Sequence, residues 1–229
     1  MKDEKDMKEL AIKTEALSKT YDMGNNQIEA LRKTDLEITR GSFVSLTGTS
    51  GSGKSTLLHL LGGLDAPTTG EVWIEGQSLS KCKEKQLAEI RRDRIGFVFQ
   101  KFHLIQELSV RENIIMPVLL ASRKVNEAYI EEICEVLGLA DRMEHMPHEL
   151  SGGQQQRTAI ARALANEAAI LLCDEPTGNL DKKTSEEVIH LLHDIHEKYN
   201  KTILIVTHDL EIAESAEYML RIEDGRILG

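Results

Sequence analysis

The sequence predicts an α/β fold with a mostly parallel central sheet, an N-terminal antiparallel β subdomain and an inserted α-helical subdomain. Three observations support this prediction. A buried strand, a glycine-rich turn and a leucine-rich helix follow one another at residues 43–64, which is the opening unit of an α/β protein. Short apolar and polar runs alternate in residues 10–38, as half-exposed antiparallel strands do. Residues 101–149 carry helical periodicity instead.

The elements follow from local patterns in chain order. Residues 10–17 and 36–38 are predicted strands of the β subdomain, and residues 43–47 form the buried strand before the glycine-rich turn. In the insert, residues 109–112 fit a capping box, and Asn126 begins a helix that Gly138 ends. Further strands are predicted at residues 72–74, 95–99, 169–173 and 202–206. A core helix is predicted at residues 188–195 and a closing hairpin turn at residues 224–225.

Composition and charge exclude several classes of protein. The 229 residues include 28 Lys and Arg against 38 Asp and Glu, which gives a formal net charge of −10. This acidity argues against general binding to nucleic acid, so no nucleic-acid partner is expected. No apolar run approaches the ~20 residues that a membrane-spanning helix needs, and no secretory signal is visible. We therefore expect a cytoplasmic protein whose membrane role, if it has one, depends on a partner.

The glycine-rich turn has the pattern of a phosphate-binding loop. Residues 48–55 read GTSGSGKS and fit G-x-x-x-x-G-K-[ST]. The glycines let the backbone approach phosphate oxygens, and the helix that follows presents unpaired N–H groups. In such a loop Lys54 reaches the β and γ phosphates, and the hydroxyl of Ser55 ligates Mg²⁺. The α/β core is therefore predicted to be that of a P-loop NTPase.

Two further motifs carry chemistry. Asp174 and Glu175 end an apolar strand, where Asp174 would enter the coordination shell of Mg²⁺ and Glu175 would polarise an attacking water. Residues 150–154 read LSGGQ and precede a helix predicted over residues 155–164, which makes a second anion-binding helix start. Either the chain binds two phosphates itself, or LSGGQ completes the site of another copy.

Six motifs in order resemble the nucleotide-binding subunit of an ATP-binding cassette (ABC) transporter over nearly the whole chain. They are the P-loop, Gln100, LSGGQ, the pair Asp174 and Glu175, residues 179–181 and His208. The resemblance implies an Mg²⁺-dependent ATPase that works as a homodimer, in which LSGGQ of one subunit faces the P-loop of the other across ATP. Because no motif is degenerate, both sites of the homodimer are expected to hydrolyse ATP.

The same resemblance assigns residue roles. Tyr21 would stack on adenine, Gln100 would sense Mg²⁺ and the attacking water, and His208 would contact the γ-phosphate. The implied catalytic residues are Glu175, His208, Gln100 and Lys54, and the implied metal ligands are Ser55, Gln100 and Asp174. The implied ATP-binding residues are Tyr21, Gly48, Thr49, Ser50, Gly51, Ser52, Gly53, Lys54, Ser55 and Thr56. The signature that acts in trans is Ser151, Gly152, Gly153 and Gln154, and Asp181 belongs to the D-loop.

A narrower resemblance concerns residues 96–104, 150–157 and 174–181, whose wording is similar to the LolD/MacB/FtsE group. Members of that group serve lipoprotein release, macrolide or peptide export and cell division, and pairs that confer resistance to antimicrobial peptides look similar. The resemblance implies a subunit on the inner face of the cell membrane that powers a separately encoded permease. The alternatives are a cell-division-type ATPase that gates an enzyme outside the membrane, and a soluble ABC ATPase.

The charged first residues and the helical texture of residues 101–149 predict a division of the chain. Residues 1–9 are expected to be a flexible N-terminus, and residues 10–229 a single ABC ATPase domain. Within it, residues 10–100 and 150–229 form the α/β core with the β subdomain, and residues 101–149 form the helical insert, which extends into the LSGGQ helix. An apolar segment opens the insert, namely Phe102, His103, Leu104, Ile105 and Leu108. These residues either pack within the insert or form a groove for a short helix of the membrane subunit.

Overall fold

The computed structural model describes residues 9–24 and 26–228, so the flexible N-terminus expected for residues 1–9 lies almost wholly outside the described residues. The strands are β1 (Leu10–Met23), β2 (Asn26–Thr39), β3 (Phe43–Thr47), β4 (Thr69–Ile74), β5 (Gln77–Ser78), β6 (Ile95–Phe99), β7 (Ile170–Asp174), β8 (Thr202–Val206), β9 (Tyr218–Glu223) and β10 (Arg226–Leu228). The α-helices are α1 (Lys54–Leu61), α2 (Glu84–Arg94), α3 (Val110–Leu120), α4 (Glu127–Val136), α5 (Gly152–Leu164), α6 (Lys182–Tyr199) and α7 (Leu210–Glu214). Along these described residues, no helix combines the length and the apolar character that crossing a bilayer requires.

Two sheets form the framework. The larger has the strand order β10-β9-β3-β8-β7-β6, in which all neighbours are parallel except the β9–β10 hairpin. The smaller has the order β2-β1-β4-β5 and is antiparallel throughout. The predicted α/β fold with a mostly parallel sheet and an antiparallel β subdomain is therefore confirmed.

The central strands are parallel because both of their faces are covered. Every residue of β3 and β8 is buried, and these strands are runs of apolar and hydroxyl side chains without a charge. On one face the sheet packs against α6 and the helical insert, through residues such as Phe43, Leu171 and Ile203. On the other face it packs against α1 and the antiparallel sheet, through residues such as Leu46 and Leu172.

Parallel strands bring their carboxyl ends to one edge of the sheet, and this edge carries the predicted motifs. The P-loop follows β3, Gln100 follows β6, the carboxylates of residues 174–175 lie at the end of β7, and His208 follows β8. Ligands of open α/β sheets bind at such an edge. The topology therefore gathers residues that are far apart in the sequence.

The helical insert contains α3 and α4 and two short 3₁₀ turns, Ala140–Arg142 and Pro147–Glu149. The predicted capping box is present, since the hydroxyl of Ser109 accepts a bond from the backbone N–H of Glu112 and the Glu112 carboxylate accepts one from that of Ser109. Asn126 caps α4 as predicted. Both helices and both 3₁₀ turns lie within the predicted insert, residues 101–149. The boundaries of the insert are a proposal.

One prediction beside the insert was wrong in its bounds, and one that was left open is decided in part. The helix predicted over residues 155–164 begins three residues earlier, at Gly152, because Ser151 caps it and both glycines belong to its first turn. For the apolar segment that opens the insert, the alternative of packing within the insert holds for Leu104, which is only 7% exposed, whereas Ile105 is 36% exposed. The buried amide of Asn113 bonds to the backbone of Ile105 and Leu108 and thereby folds this segment onto α3, which leaves Leu104 inside.

Candidate functional site

The P-loop forms one wall of a cavity of about 420 Å³. The cavity is lined by Ala30, Ser50, Gly51, Gly53, Lys54, Ser55, Thr56, Glu175 and His208. Gly53 has a φ of +106°, and a Cβ at this position would lie 2.4 Å from the carbonyl oxygen of Ala30. Only glycine fits here, so the loop can pass close to β2 and turn into α1.

Lys54 is held inside the loop that it follows. Its side chain is 7% exposed, and Nζ donates to the carbonyl oxygens of Gly48 and Thr49, each at 2.9 Å. The ammonium is therefore centred among backbone groups at the start of α1, where the positive end of the helix dipole also lies. This arrangement concentrates positive potential in the cavity, as binding of a polyphosphate requires.

Ser55 and Asp174 meet at the edge of the cavity. The hydroxyl of Ser55 donates to Oδ1 of Asp174 at 3.1 Å, across a sequence separation of 119 residues. Burial, and to a lesser degree the neighbouring Glu175, raises the pKa of Asp174. A carboxylate whose charge is disfavoured in this way, beside a hydroxyl oxygen, offers the hard oxygen ligands that Mg²⁺ prefers and gains from a cation. The residues present thus fit a magnesium ion.

Glu175 and His208 form a pair that also lines the cavity. Nδ1 of His208 lies 3.1 Å from Oε2 of Glu175. The backbone of Glu175 has a φ of +47°, a conformation that residues other than glycine rarely adopt. Its N–H bonds to the carbonyl oxygen of Val206, which extends the β7–β8 ladder by one residue and holds this turn in place. The carboxylate of Glu175 is thereby aimed into the cavity.

Gln100 is attached to the segment after Glu175. Its side-chain amide donates to Oδ1 of Asn179 at 3.2 Å, and Nδ2 of Asn179 donates to the backbone oxygen of Gln100 at 2.9 Å. Gly178 packs against the same amide, because a Cβ there would lie 2.7 Å from Nε2 of Gln100. Gln100 therefore follows β6 at the edge of the sheet that carries the cavity, and its side-chain nitrogen is engaged by Asn179.

Tyr21 lies on β1, outside the set that lines the cavity. Its hydroxyl donates to Oδ2 of Asp65 at 2.8 Å, and Nζ of Lys19 lies 4.8 Å from the centre of its ring. Burial and the bond to Asp65 raise the pKa of Tyr21. Asp65 follows α1, so the ring is tied to the helix whose first turn contains Lys54 and Ser55.

The LSGGQ residues lie apart from the P-loop cavity. Ser151 and Gly152 are exposed at the start of α5, and none of the four signature residues is among the described residues that line that cavity. The hydroxyl of Ser151 accepts a bond from the N–H of Gln154, so it serves as the helix cap. Asp181 similarly caps α6 by accepting bonds from the N–H and hydroxyl of Thr184. Of the two alternatives that the sequence left open, this composition of the cavity lining favours completion of another copy's site.

A groove between the core and the insert is a second feature of this region. It has a volume of about 360 Å³ and is bordered by Phe97 and Phe99 of β6, His103, and Met116 and Pro117 of α3. The rings of Phe97 and Phe99 are stacked, with centroids 5.6 Å apart, and His103 meets Phe99 edge-on at 5.5 Å. The apolar residues of this groove are therefore largely different from those that the sequence suggested.

Sequence reasoning missed Asp65, Lys19 and the role of Asn179. Asp65 meets Tyr21 across 44 residues, and Asn179 meets Gln100 across 79. Neither pair has a local sequence pattern, because each depends on which elements are neighbours in space. The one sequence signal for Asn179 was that residues 179–181 are one of the six motifs.

Comparison with known proteins agrees with this geometry. A family model described as ABC transporter matches residues 31–178. An uncharacterized ABC transporter ATP-binding protein of Thermotoga maritima is 49% identical over 213 residues, which cover 92% of this chain and 91% of the relative. The lipoprotein-releasing system ATP-binding protein LolD of Legionella pneumophila is 43% identical and is covered over 98% of its length. The macrolide export ATP-binding/permease protein MacB of Agrobacterium fabrum is 44% identical, and this chain spans only 34% of its length.

Solved structures give the same result. The dimeric structure of the ABC transporter cassette MJ0796, a protein of Methanocaldococcus jannaschii, has a TM-score of 0.86 to this chain, 44% identity, and coverage of 95% of this chain and 97% of the other. A second structure of that cassette, a dimer in a post-hydrolysis state bound to ADP and Pi, has a TM-score of 0.85.

Proposed function

This chain belongs to the ABC transporter family as an ATP-binding subunit, and on that premise we propose that it hydrolyses Mg²⁺-bound ATP in a head-to-tail homodimer that drives a membrane permease. The observation that carries the proposal is the composition of the P-loop cavity. It combines Lys54 and Ser55 with Glu175 and His208. These are the groups that phosphoryl transfer to water needs.

The residues divide the work by position. Lys54 and the N–H groups at the start of α1 bind the phosphates, and Glu175 accepts a proton from the attacking water. His208 holds the Glu175 carboxylate through its ring and contacts the γ-phosphate. Ser55, Asp174 and Gln100 would hold Mg²⁺, which supplies charge neutralisation to the phosphates when bound. The side-chain nitrogen of Gln100 donates to Asn179, so Oε1 is the atom through which Gln100 would hold the ion.

The homodimer follows from the separation of the two phosphate-binding motifs. Ser151 and Gly152 are exposed at a helix start and remote from their own P-loop cavity, so they are free to face the nucleotide of a second copy. The dimeric structures of the MJ0796 cassette support this arrangement. Closure of the dimer on ATP would then convert binding energy into movement of the inserts.

The groove of Phe97, Phe99 and Met116 is the proposed contact for the membrane partner. It lies between the core and the insert, so its shape changes when the two move relative to each other. We infer that a short helix of a separately encoded permease occupies it, which would hold the chain at the inner face of the cell membrane. The names of the LolD and MacB relatives favour lipoprotein or macrolide export as the type of transport.

Glu175→Gln tests the chemistry. The amide preserves the size of the side chain but cannot take a proton, so ATP turnover should fall by about 10²–10⁴-fold while ATP binding is retained. The variant should also accumulate as an ATP-bound dimer in size-exclusion chromatography. Glu135→Gln on the exposed surface of α4 makes the same chemical change and should alter neither. Near-normal turnover of Glu175→Gln would remove Glu175 from this role.

Met116→Asp tests the groove. The charge should abolish co-purification with the membrane protein from solubilised membranes, without altering ATP hydrolysis by the isolated chain. Met219→Asp, at a 52% exposed position of β9 outside the groove, makes the same substitution and is the matched control. If Met116→Asp still co-purifies normally, the permease binds elsewhere.

A further inference from the structure

The side chain of Tyr21 is fixed by a small polar cluster that none of the six motifs contains. Its hydroxyl donates to Oδ2 of Asp65 at 2.8 Å. The other oxygen of that carboxylate, Oδ1, accepts from Nζ of Lys19 at 2.7 Å and from the N–H of Ala66 at 2.7 Å. Both oxygens of Asp65 are therefore engaged, and one of them is committed to Tyr21.

Lys19 also determines which face of the Tyr21 ring is available. Its ammonium lies over the ring at 4.8 Å from the centroid and donates in addition to the carbonyl oxygen of Ala66 at 2.7 Å. A cation at this distance is attracted by the electrons of the ring and occupies that face. A planar ligand can then stack only on the opposite face.

The anchor of this cluster is the helix that begins with the phosphate-binding residues. The backbone N–H groups of Leu64 and Asp65 bond to the carbonyl oxygen of His59, so Asp65 is attached to the end of α1. The first residue of α1 is Lys54. The distance between the Tyr21 ring and the P-loop is consequently set by one rigid helix.

Asp65 keeps its negative charge at neutral pH. Although burial alone would raise it, the hydrogen bonds from Lys19 and Tyr21 hold the pKa of Asp65 below its ordinary value. An ionised carboxylate can only accept, so the Tyr21 hydroxyl must donate and its ring is held in one orientation.

We propose that Asp65 is a positioning residue for the nucleotide base: it holds the Tyr21 ring at a fixed place and angle relative to the P-loop, with one face left for the base. The inference rests on the proposed stacking of Tyr21 on adenine. Asp65 is not needed to attach β1 to the turn after α1, because two other bonds join them. The backbone N–H of Thr20 donates to the hydroxyl of Thr68, and the backbone N–H of Thr68 donates to the carbonyl oxygen of Ser18. Its contribution is orientation of the ring.

The test compares a ligand that has a base with one that lacks it. Dissociation constants for ADP and for inorganic pyrophosphate, both with Mg²⁺, are measured by calorimetry on the full chain and on Asp65→Ala, Tyr21→Phe and Tyr21→Ala. We expect Asp65→Ala to weaken ADP binding about 2–10-fold, the equivalent of one hydrogen bond, and to leave pyrophosphate binding unchanged. Tyr21→Phe removes the hydroxyl, which bonds to Asp65 and to Thr56, so it should lose at least as much affinity for ADP. The double variant Asp65→Ala/Tyr21→Phe should bind ADP no more weakly than Tyr21→Phe alone. Asp141→Ala, at an exposed position of the insert, is the control for loss of a carboxylate.

Three results would overturn the proposal, and each would point to a different cause. Equal weakening of ADP and pyrophosphate by Asp65→Ala would mean that the substitution damages the P-loop itself. Unchanged ADP binding by Asp65→Ala, with a loss in Tyr21→Ala, would mean that the ring stacks without needing Asp65. Unchanged ADP binding by Tyr21→Ala would refute the stacking of Tyr21 on the base, and the positioning role with it.

Discussion

Gly153 is predicted to be required for packing within one subunit, in addition to any contact with a nucleotide in trans. It is the second residue of α5 and is buried against α6. A Cβ at this position would lie 2.4 Å from Cγ2 of Thr184, whereas carbon atoms in contact are normally ~3.5–4.0 Å apart. Gly153→Ala therefore forces either Thr184 or one of the two helices to move.

The magnitude follows from what holds Thr184. Its hydroxyl donates to Oδ2 of Asp181 at 2.6 Å, so turning the side chain away loses that bond at a cost of ~0.5–1.5 kcal/mol. Separating the helices instead would cost ~1–3 kcal/mol, as overpacking does. Alanine recovers at most ~1 kcal/mol of helix propensity, and less in a first turn. Because the fold takes the cheaper of the two routes, we expect a net loss of about 0.5–1 kcal/mol, which corresponds to a melting temperature lowered by ~1–4 °C.

Thermal unfolding without nucleotide, followed by circular dichroism, measures this loss. Thr184→Ser removes Cγ2 and keeps the hydroxyl, so the double variant Gly153→Ala/Thr184→Ser should recover most of the stability. Gly152→Ala is the matched control, because a Cβ there meets Leu180 at an ordinary 3.4 Å. An unchanged melting temperature for Gly153→Ala, or no recovery in the double variant, would refute the steric argument.

Two further predictions concern stability. Burial, and secondly the neighbouring imidazoles, holds the pKa of His193 below its ordinary value, so the unfolded chain takes up a proton that the folded chain resists. The free energy of unfolding should therefore fall as the pH decreases through ~6.5. Urea denaturation of His193→Phe should show a smaller fall, and a pH dependence identical to that of the unchanged chain would contradict this role of His193. Leu104→Ser should cost ~2 kcal/mol or more because its side chain is buried, whereas Ile105→Ser, at 36% exposure, should cost little. Equal melting temperatures for these two variants would show that the burial of Leu104 is unimportant.

The parts of the site that sequence could predict are those with a local pattern. The spacing of Lys54 and Ser55 behind the glycines predicted a loop between strand and helix, and the apolar run before Asp174 predicted a strand tip. Both predictions need only a few neighbouring residues, since each motif is built by one turn of the chain. The strands that precede these turns are parallel, so the turns lie at one edge of the sheet.

The contacts between motifs could not be predicted in the same way. The bond from Tyr21 to Asp65 exists because β1 passes the end of α1, and no periodicity encodes that approach. The two alternatives for Leu104 stayed open for a related reason: the amide of Asn113 folds the preceding segment, and a polar residue on a helix gives no sign of such a role. Apolar composition alone does not distinguish a docking surface from a buried loop.

The left-handed backbone of Glu175 has an evolutionary consequence. A residue with a Cβ in this conformation costs the fold ~1–2 kcal/mol relative to glycine, and this chain retains it where the carboxylate enters the cavity. Natural selection for turnover and selection for folding therefore oppose each other at this position. In a descendant whose ATP site had become dispensable for hydrolysis, we expect glycine or asparagine to replace Glu175 early, because such a lineage would gain stability by losing its chemistry.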